Sequence, residues 1–343
     1  MDNMKRVIDP NTVPQFTLYT GAKMPVIGMG TFGNDRCSGD EVATTVKGAA
    51  EYGYRLFDCA AAYGNEPEIG RAFKEVIDSG IKREDLFVIS KLWNNMHGKR
   101  DVLLACAKTL KDLQLDYLDM YLVHWPFANT HPKGAEPGYR DPGAKPYNHE
   151  KYMEAWCQME RLVEMGLVRH IGTSNSTEQK LKLLMRDAKI KPAANEVELH
   201  PTFSQPELFK YCSDNKIQLI GYSPIGSPTR PDRDKDAEDA VEIENPVIIK
   251  IAKEHNVHPA VICLKWAAQR GQVPVPSTIY ANEYESNLRC VVEDLLSEAE
   301  MSELEKVNTN CRMLKGKVFL WEDAKHWTDL WDMSGEINVG IRK

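Results

Sequence analysis

Leu86-Phe87-Val88-Ile89-Ser90-Lys91 and Tyr117-Leu118-Asp119-Met120-Tyr121-Leu122-Val123-His124 are two short apolar runs rich in strand-forming residues. Between them Leu103, Ala107 and Leu110 recur at the spacing of one helix face. Strand, amphipathic helix and strand in this order make one β/α unit, which implies a parallel sheet.

The same unit repeats in both directions. Upstream, Arg55 to Asp58 reads as a strand followed by a Glu- and Lys-rich helix to about Asp78. Before it, Val26 to Thr31 is a strand, and Ser38-Gly39-Asp40-Glu41 has capping-box spacing. The helix it opens sets Val42, Val46, Ala49 and Ala50 on one face. Downstream, Tyr152 to Met165 is a helix carrying Trp156, Met159 and Val163 inward, and Val168 to Ser174 is a strand before the helix Glu178 to Ala188. Ala193 to Val197 and Ile217 to Ser223 are strands flanking a helix around Glu207 to Asp214. Helices Val247 to His255 and Pro259 to Gln269 precede the last strand, Val273 to Pro276.

Eight such strands predict a (β/α)8 TIM barrel of the α/β class. The expected organisation is a single domain over 1–343, with the barrel at 16–308 and a C-terminal tail at 309–343 packing near the substrate site. A barrel norm of ~250 residues leaves length for enlarged loops. These are Pro126 to Pro146, with Tyr139, Arg140, Lys145 and Tyr147, the acidic loop Pro224 to Asn245, and the tail from Asn308. A doubly wound open sheet is the competing architecture. It is set aside here because the first strand-to-helix turn, Gly28-Met29-Gly30-Thr31-Phe32-Gly33, is read as lacking the G-x-G-x-x-G spacing that a dinucleotide turn requires.

A hydrophobic share of 42% and a charged share of 27% are ordinary for a globular chain. The net charge of -7, with no basic block, argues against a nucleic-acid partner. No stretch approaches the ~20 apolar residues of a membrane span, and Met1 to Pro14 does not read as a secretory signal. The eight cysteines include no C-x-x-C pair and read as small buried hydrophobes rather than disulfides or a metal site. A cytoplasmic location is expected.

In a barrel the chemistry sits where the strands end. Here those ends are Asp58, Lys91, His124, Ser174-Asn175, Glu196, Tyr222-Ser223 and Ser277-Thr278. Any one of them reads most simply as a solvated strand end or a satisfied core group. An Asp, a Lys and a His on three successive strands converge on one rim, and charge there is costly unless paired. Tyr63, five residues beyond Asp58, completes the set. A neighbouring ammonium favours the phenolate, so Lys91, held by Asp58, is expected to lower the Tyr63 pKa toward neutrality. His124 is expected to orient a substrate oxygen.

These residues lie in segments that resemble the aldo-keto reductase family. Phe57-Asp58-Cys59-Ala60-Ala61-Ala62-Tyr63-Gly64-Asn65-Glu66 resembles its first signature, Ile89-Ser90-Lys91-Leu92-Trp93-Asn94 its lysine segment and Leu122-Val123-His124-Trp125-Pro126 its histidine segment. Gly172-Thr173-Ser174-Asn175, Asn195-Glu196-Val197-Glu198-Leu199-His200-Pro201 and Tyr222-Ser223-Pro224-Ile225-Gly226-Ser227 follow in family order, and the likeness runs from about Phe16 to Asn308. It implies a nicotinamide-dependent oxidoreductase acting on a small-molecule carbonyl or alcohol. Asp58, Tyr63, Lys91 and His124 would be the catalytic residues. Gly30, Thr31 and Phe32 would line the site mouth, Ser174 and Asn175 would hold the carboxamide, and Tyr222 would stack on the ring. Ser223, Pro224, Gly226, Ser227, Pro276, Ser277, Thr278 and Asn287 would complete the cofactor groove. Trp93 and Trp125 would wall the substrate pocket.

Two positions depart from the family. In Pro276-Ser277-Thr278-Ile279-Tyr280-Ala281-Asn282-Glu283-Tyr284-Glu285-Ser286-Asn287 the usual lysine is Ser277 and the usual arginine is Glu283. The usual pair clamps the 2′-phosphate of NADPH. Glu283 would instead repel it and accept from free ribose hydroxyls, so NAD(H) is the expected preference, with NADP(H) possible through a basic group such as Arg289. Glu196 replaces the usual glutamine against the carboxamide. An ionised Glu196 would favour cationic NAD+, hinting at alcohol oxidation.

The mixed loops and tail, with Phe319, Trp321, Trp327 and Trp331 interleaved with Glu322, Lys325 and His326, suit a sugar or polyol, although packing on the barrel explains most of those residues better. The alternatives are an NADPH-dependent aldehyde or ketone reductase and a non-catalytic family member. Oligomeric state is not legible.

Overall fold

Eight parallel strands form one sheet in which every strand pairs with its neighbour in sequence. The computed structural model describes residues 7–33, 36–129, 141, 143–228, 230, 235–237 and 239–338. An antiparallel hairpin, β1 (Gln15–Thr17) and β2 (Lys23–Pro25), precedes the sheet. The sheet strands are β3 (Met29–Gly30), β4 (Leu56–Asp58), β5 (Phe87–Leu92), β6 (Leu118–Val123), β7 (Val168–Ser174), β8 (Ala194–Glu198), β9 (Gln218–Tyr222) and β10 (Val273–Pro274). The helices are α1 (Gly39–Tyr52), α2 (Glu66–Asp78), α3 (Asp101–Leu113), α4 (His149–Glu164), α5 (Glu178–Asp187), α6 (Pro206–Asp214), α7 (Pro246–Glu254), α8 (Pro259–Arg270), α9 (Ala281–Arg289) and α10 (Glu298–Glu305).

Main-chain hydrogen bonds close the sheet into a barrel. The Gly28 amide donates to the Pro274 carbonyl at 3.0 Å, and the Gly30 amide to the Pro276 carbonyl at 2.9 Å. This is why both positions are glycine. A Cβ on Gly30 would stand 2.7 Å from the Val275 carbonyl oxygen, and one on Gly28 would stand 2.0 Å from the Leu56 side chain. The turn Gly28 to Gly33 does have G-x-G-x-x-G spacing, so spacing alone cannot exclude a dinucleotide turn. Its context does: its glycines serve barrel closure, and no helix begins until Gly39, behind the Ser38–Glu41 capping box. Gly30→Ala should cost about 1–3 kcal/mol, the range for forcing atoms into a packed site. A lowered urea midpoint at unchanged slope would show it, and an unchanged midpoint would mean the seam can spread.

Inside the barrel, Leu56, Ile89, Met120, Leu122, Ile220 and Val273 form one buried cluster, joined by Leu18 and Met24 of the hairpin region. The sequence reading did not foresee this hairpin, nor α9 and α10 as separate helices. Of Leu103, Ala107 and Leu110, read as one face of α3, only Leu110 is buried. Val102, Cys106, Thr109, Leu110 and Leu113 are buried, whereas Leu103 and Ala107 are exposed. Two adjacent rows of α3 are apolar, and periodicity cannot choose between rows that both repeat at i, i+4. On α4, Trp156 and Met159 are buried but Val163 only partly so.

Of the cysteines, Cys59, Cys106, Cys212, Cys263 and Cys290 are buried, Cys37 and Cys311 half-buried and Cys157 exposed, so the buried reading fails for three. Tyr139 and Arg140 lie outside the described residues, while Lys145 is exposed and Tyr147 buried. Among the described residues no helix is long and apolar enough to cross a membrane.

Candidate active site

Parallel pairing brings all the carboxyl ends to one rim, with Gly30 level with Asp58 and Ser174 level with Glu196. Lys91 lies in β5 among buried apolar residues, so its side chain is fully enclosed. A buried ammonium persists only with partners, and the ends of β4 and β8 provide them. Its Nζ donates to Asp58 Oδ1 at 2.5 Å, to the Cys59 carbonyl at 3.1 Å and to the Tyr63 hydroxyl at 3.3 Å, and lies 3.3 Å from Glu196 Oε1. Burial opposes its charge, but Asp58 and Glu196 together raise its pKa well above the ordinary lysine value.

Tyr63 ends a short 3-10 turn, Ala61–Tyr63, directly after β4. Its pKa moves opposite to the sequence expectation. Burial pushes it up, Lys91 pulls it down, and Asp58 and Glu196 add to the rise, leaving it raised. Burial of the ring outweighs the pull of the neighbouring ammonium. Tyr63 therefore stands as a protonated phenol, able to donate.

Burial and then Lys91 hold His124 well below the ordinary imidazole pKa, so it is neutral. Its ring meets Tyr63 edge-on at 6.0 Å and Trp93 at 5.1 Å between centroids, and its Nδ1 is buried without a protein partner.

Burial, then Asp58, raises the Glu196 pKa to about 8 against the pull of Lys91, and its Oε2 is buried without a partner. The sequence reading treated this group as ionised, but at neutral pH it is mostly protonated. Beside it the Ser174 hydroxyl donates to the Glu196 carbonyl at 2.9 Å. Asn175, at φ 56°, donates from Nδ2 to the His124 carbonyl at 3.0 Å and accepts from the Tyr222 hydroxyl at 2.7 Å. The neighbouring turn also holds Ser223 and Ser227 at positive φ, with the Ser227 hydroxyl donating to Ser223 at 2.7 Å.

These groups open onto a cavity of about 300 Å³. Gly30, Thr31, Phe32, Asp58, Tyr63, His124, Trp125, Asn175, Glu196, Tyr222, Ser223, Pro224, Ser227, Pro276 and Ser277 all line it. Ser174, Gly226 and Lys91 do not line it, and Trp93 reaches the site through its contact with His124. Thr278, Glu283 and Asn287 are also absent from the lining. Ser277 and Glu283 are exposed, and Glu283 Oε2 accepts from the Thr278 hydroxyl at 2.5 Å. Arg289 donates to the Tyr52 hydroxyl at 2.7 Å.

The sequence reading expected the tail near the substrate site but, Phe319 apart, did not single out the residues of the other wall. Met313, Leu314, Lys315, Lys317, Val318 and Phe319 of the tail line the cavity, together with Arg230 and Asp236. Lys315 and Lys317 pair with Asp236, so loop and tail meet across the opening. The signal was the tail's aromatic content. Phe319 packs on Trp125 at 4.3 Å, and Trp331 at 5.7 Å from the same ring. Trp321 and Trp331 are buried, as packing requires. Asp332 accepts from Thr177 and Lys180 and so fastens the tail to the start of α5.

The residues suit a planar, polar-tipped ring. Tyr222 offers an aromatic face, and two cavity-lining residues, His124 and Glu196, each keep a buried polar atom with no protein partner.

Residues 26–309 match the model of the Aldo/keto reductase family. The chain is 43% identical over 300 residues to aldo-keto reductase family 1 member A1 of Xenopus tropicalis, covering 87% of this chain and 90% of that one. It is 41% identical over 304 residues to the Homo sapiens protein of the same name, with 87% and 90% covered. Its fold is similar to the crystal structure of Bombyx mori aldo-keto reductase (AKR2E4) in complex with NADP, with a TM-score of 0.78, 30% identity and 90% and 95% of the two chains covered.

Proposed function

The chain belongs to the aldo/keto reductase family, and from that premise we propose that it is an NAD(H)-preferring oxidoreductase whose catalytic residues are Asp58, Tyr63, Lys91 and His124. That it is an NAD(P)-dependent oxidoreductase of carbonyl and alcohol groups follows from family membership; the preference and the residue roles are the proposal. The observation that carries the roles is the single hydrogen-bonded cluster joining Asp58, Lys91 and the Tyr63 hydroxyl at the cavity wall.

A nicotinamide bound in this cavity supplies or accepts a hydride. The chain's own groups manage the proton. In reduction, the Tyr63 hydroxyl gives its proton to the carbonyl oxygen as that oxygen gains charge. Lys91, kept cationic by Asp58, stabilises the phenolate left behind. Neutral His124 orients the substrate oxygen through a single ring N–H. Trp93, Trp125 and Phe319 exclude water from the substrate side. Ser174, Asn175 and Glu196 are proposed to hold the carboxamide and Tyr222 the ring. Gly30, Thr31, Phe32, Ser223, Pro224, Gly226, Ser227, Pro276, Ser277, Thr278, Glu283 and Asn287 are proposed for the rest of the cofactor.

The NAD(H) preference rests on Ser277 and Glu283 standing where the family carries its phosphate-binding cations. The second reading, an NADPH-dependent carbonyl reductase, is favoured by the NADP bound to the Bombyx mori relative. The substrate proposed is a sugar, polyol or other hydroxylated molecule, since Lys315, Lys317 and Asp236 bring hydrogen-bonding groups to the cavity wall. We further propose one domain with its barrel at 16–308 and a tail at 309–343, in a reducing cytoplasm suited to eight free cysteines.

The test is titration of the pure protein with NADH and NADPH, followed by tryptophan quenching. Tighter NADH binding supports the proposal and directs substrate screening to polyols with NAD+. Tighter NADPH binding selects the second reading, and no binding of either overturns the enzymatic function.

A further inference from the structure

Two carboxyl groups and one ammonium are sealed together beneath the cavity. Asp58 and Glu196 flank Lys91, and the side chains of all three are at most 3% exposed. With both acids ionised, the cluster would carry one uncompensated negative charge in a water-poor interior, at a large desolvation cost. Glu196 Oε2 is buried with no partner among the described residues, so an ionised Glu196 would leave charge there without a donor. Lys91 Nζ is nearer Asp58, at 2.5 Å, than Glu196, at 3.3 Å. The negative charge therefore sits on Asp58 and the proton on Glu196.

We infer that Glu196 carries a proton beside the Asp58–Lys91 pair, and that it gives this proton up to solvent when a cationic nicotinamide ring enters the cavity. Only the Glu196 O–H bond breaks, the proton passes to buffer, and no electrons move. An oxidised ring brings one positive charge, which replaces the lost proton and restores neutrality. A reduced ring brings none, so the proton stays. The balance between oxidised and reduced cofactor then depends on pH through one residue. This rests on the proposed placement of the nicotinamide beside Glu196.

The surrounding groups leave the neutral range clear. His124 titrates well below it, and Tyr63, Tyr222, Cys59 and Lys91 well above it. Glu198, on the same strand, is held ionised against burial by His200 and Arg312. Burial raises the pKa of Asp58 and Lys91 pulls it back.

The experiment measures the dissociation constants of NAD+ and NADH from pH 6 to 9 by tryptophan quenching, and proton release on binding in weakly buffered solution with an indicator dye. In the wild type the ratio of the NAD+ to the NADH constant should fall with rising pH, by as much as roughly tenfold per unit, the slope of one proton. NAD+ should release most of one proton near pH 7, and NADH almost none. Glu196→Gln keeps the shape and removes the acid, so its ratio should be flat and its proton release absent. A flat wild-type ratio, or equal release from the variant, overturns the inference. NADP+ and NADPH are run in parallel. If no dinucleotide binds at any pH, the functional reading fails.

The proton on Glu196 can be tested without cofactor. A folded pKa of about 8, above the ordinary carboxyl value, gives stability that is present in acid and lost as pH rises through that value. The wild-type melting temperature should fall relative to Glu196→Gln between pH 6 and 9. Parallel curves overturn the proton on Glu196.

Discussion

Tyr63→Phe is expected to lower kcat by about 10²–10⁴-fold, the usual contribution of a positioned proton donor, with dinucleotide binding nearly unchanged. The substitution removes one oxygen and keeps the ring that packs at 5.1 Å from Phe32 and 6.0 Å from His124. Steady-state turnover and quenching titrations on one preparation separate the two quantities. A variant that kept a tenth of wild-type turnover would show that the proton comes from elsewhere. The pH dependence has a definite sign. Because Tyr63 is held protonated beyond the ordinary phenol range, reduction should not fade near neutrality for want of a proton. Oxidation needs the phenolate and should accelerate as pH rises.

Lys91→Met is a poorer probe of the same idea. It would leave Asp58 and Glu196 facing each other without their cation, and removing one partner of a buried ion pair costs about 3–5 kcal/mol. Loss of activity there would mix chemistry with folding. The phenol is the cleaner handle because its own hydrogen bond with Lys91 is long, at 3.3 Å.

The barrel was legible because apolar strands alternate with amphipathic helices along the whole chain, and that alternation has few folded solutions. What stayed hidden was set by relations between distant segments. Leu103 and Val102 begin two equally apolar rows of α3, and only docking decides that Val102 turns inward. The hairpin strands are three residues each, too short for a periodic signal. The catalytic cluster was legible residue by residue, since polar groups ending apolar strands need a reason to be there. Its charge state was not. Reading Lys91 beside Tyr63 gives a lowered phenol pKa, and only the third dimension shows the burial of the ring that reverses the sign, with Asp58 and Glu196 adding to the rise. The tail was read as packing material, and Trp331 and Trp321 bear that out. Phe319 is both buried and part of the cavity wall, so packing and substrate contact are not alternatives there.

Ser277→Lys combined with Glu283→Arg is expected to move cofactor preference toward NADPH by roughly 10²–10⁴-fold, taking two charge-assisted contacts at about 1.5–3 kcal/mol each. Both positions are exposed, so new long side chains have room and the barrel should tolerate them. Glu283 is nonetheless fixed, because the Thr278 hydroxyl donates to its Oε2 at 2.5 Å. A carboxylate held in that way repels a 2′-phosphate more effectively than one that can swing aside. The arginine variant removes the repulsion, adds attraction and releases Thr278. The two substitutions lie close together, so their effects should not simply add, and each single variant must be measured beside the pair. Arg289 is the control. If it were the phosphate ligand, Arg289→Ala would weaken NADPH binding in the wild type and leave NADH untouched. Its hydrogen bond to Tyr52 gives it another occupation, so equal effects on both dinucleotides are expected. If the double variant still prefers NADH, discrimination lies outside this segment and the Glu283 argument falls.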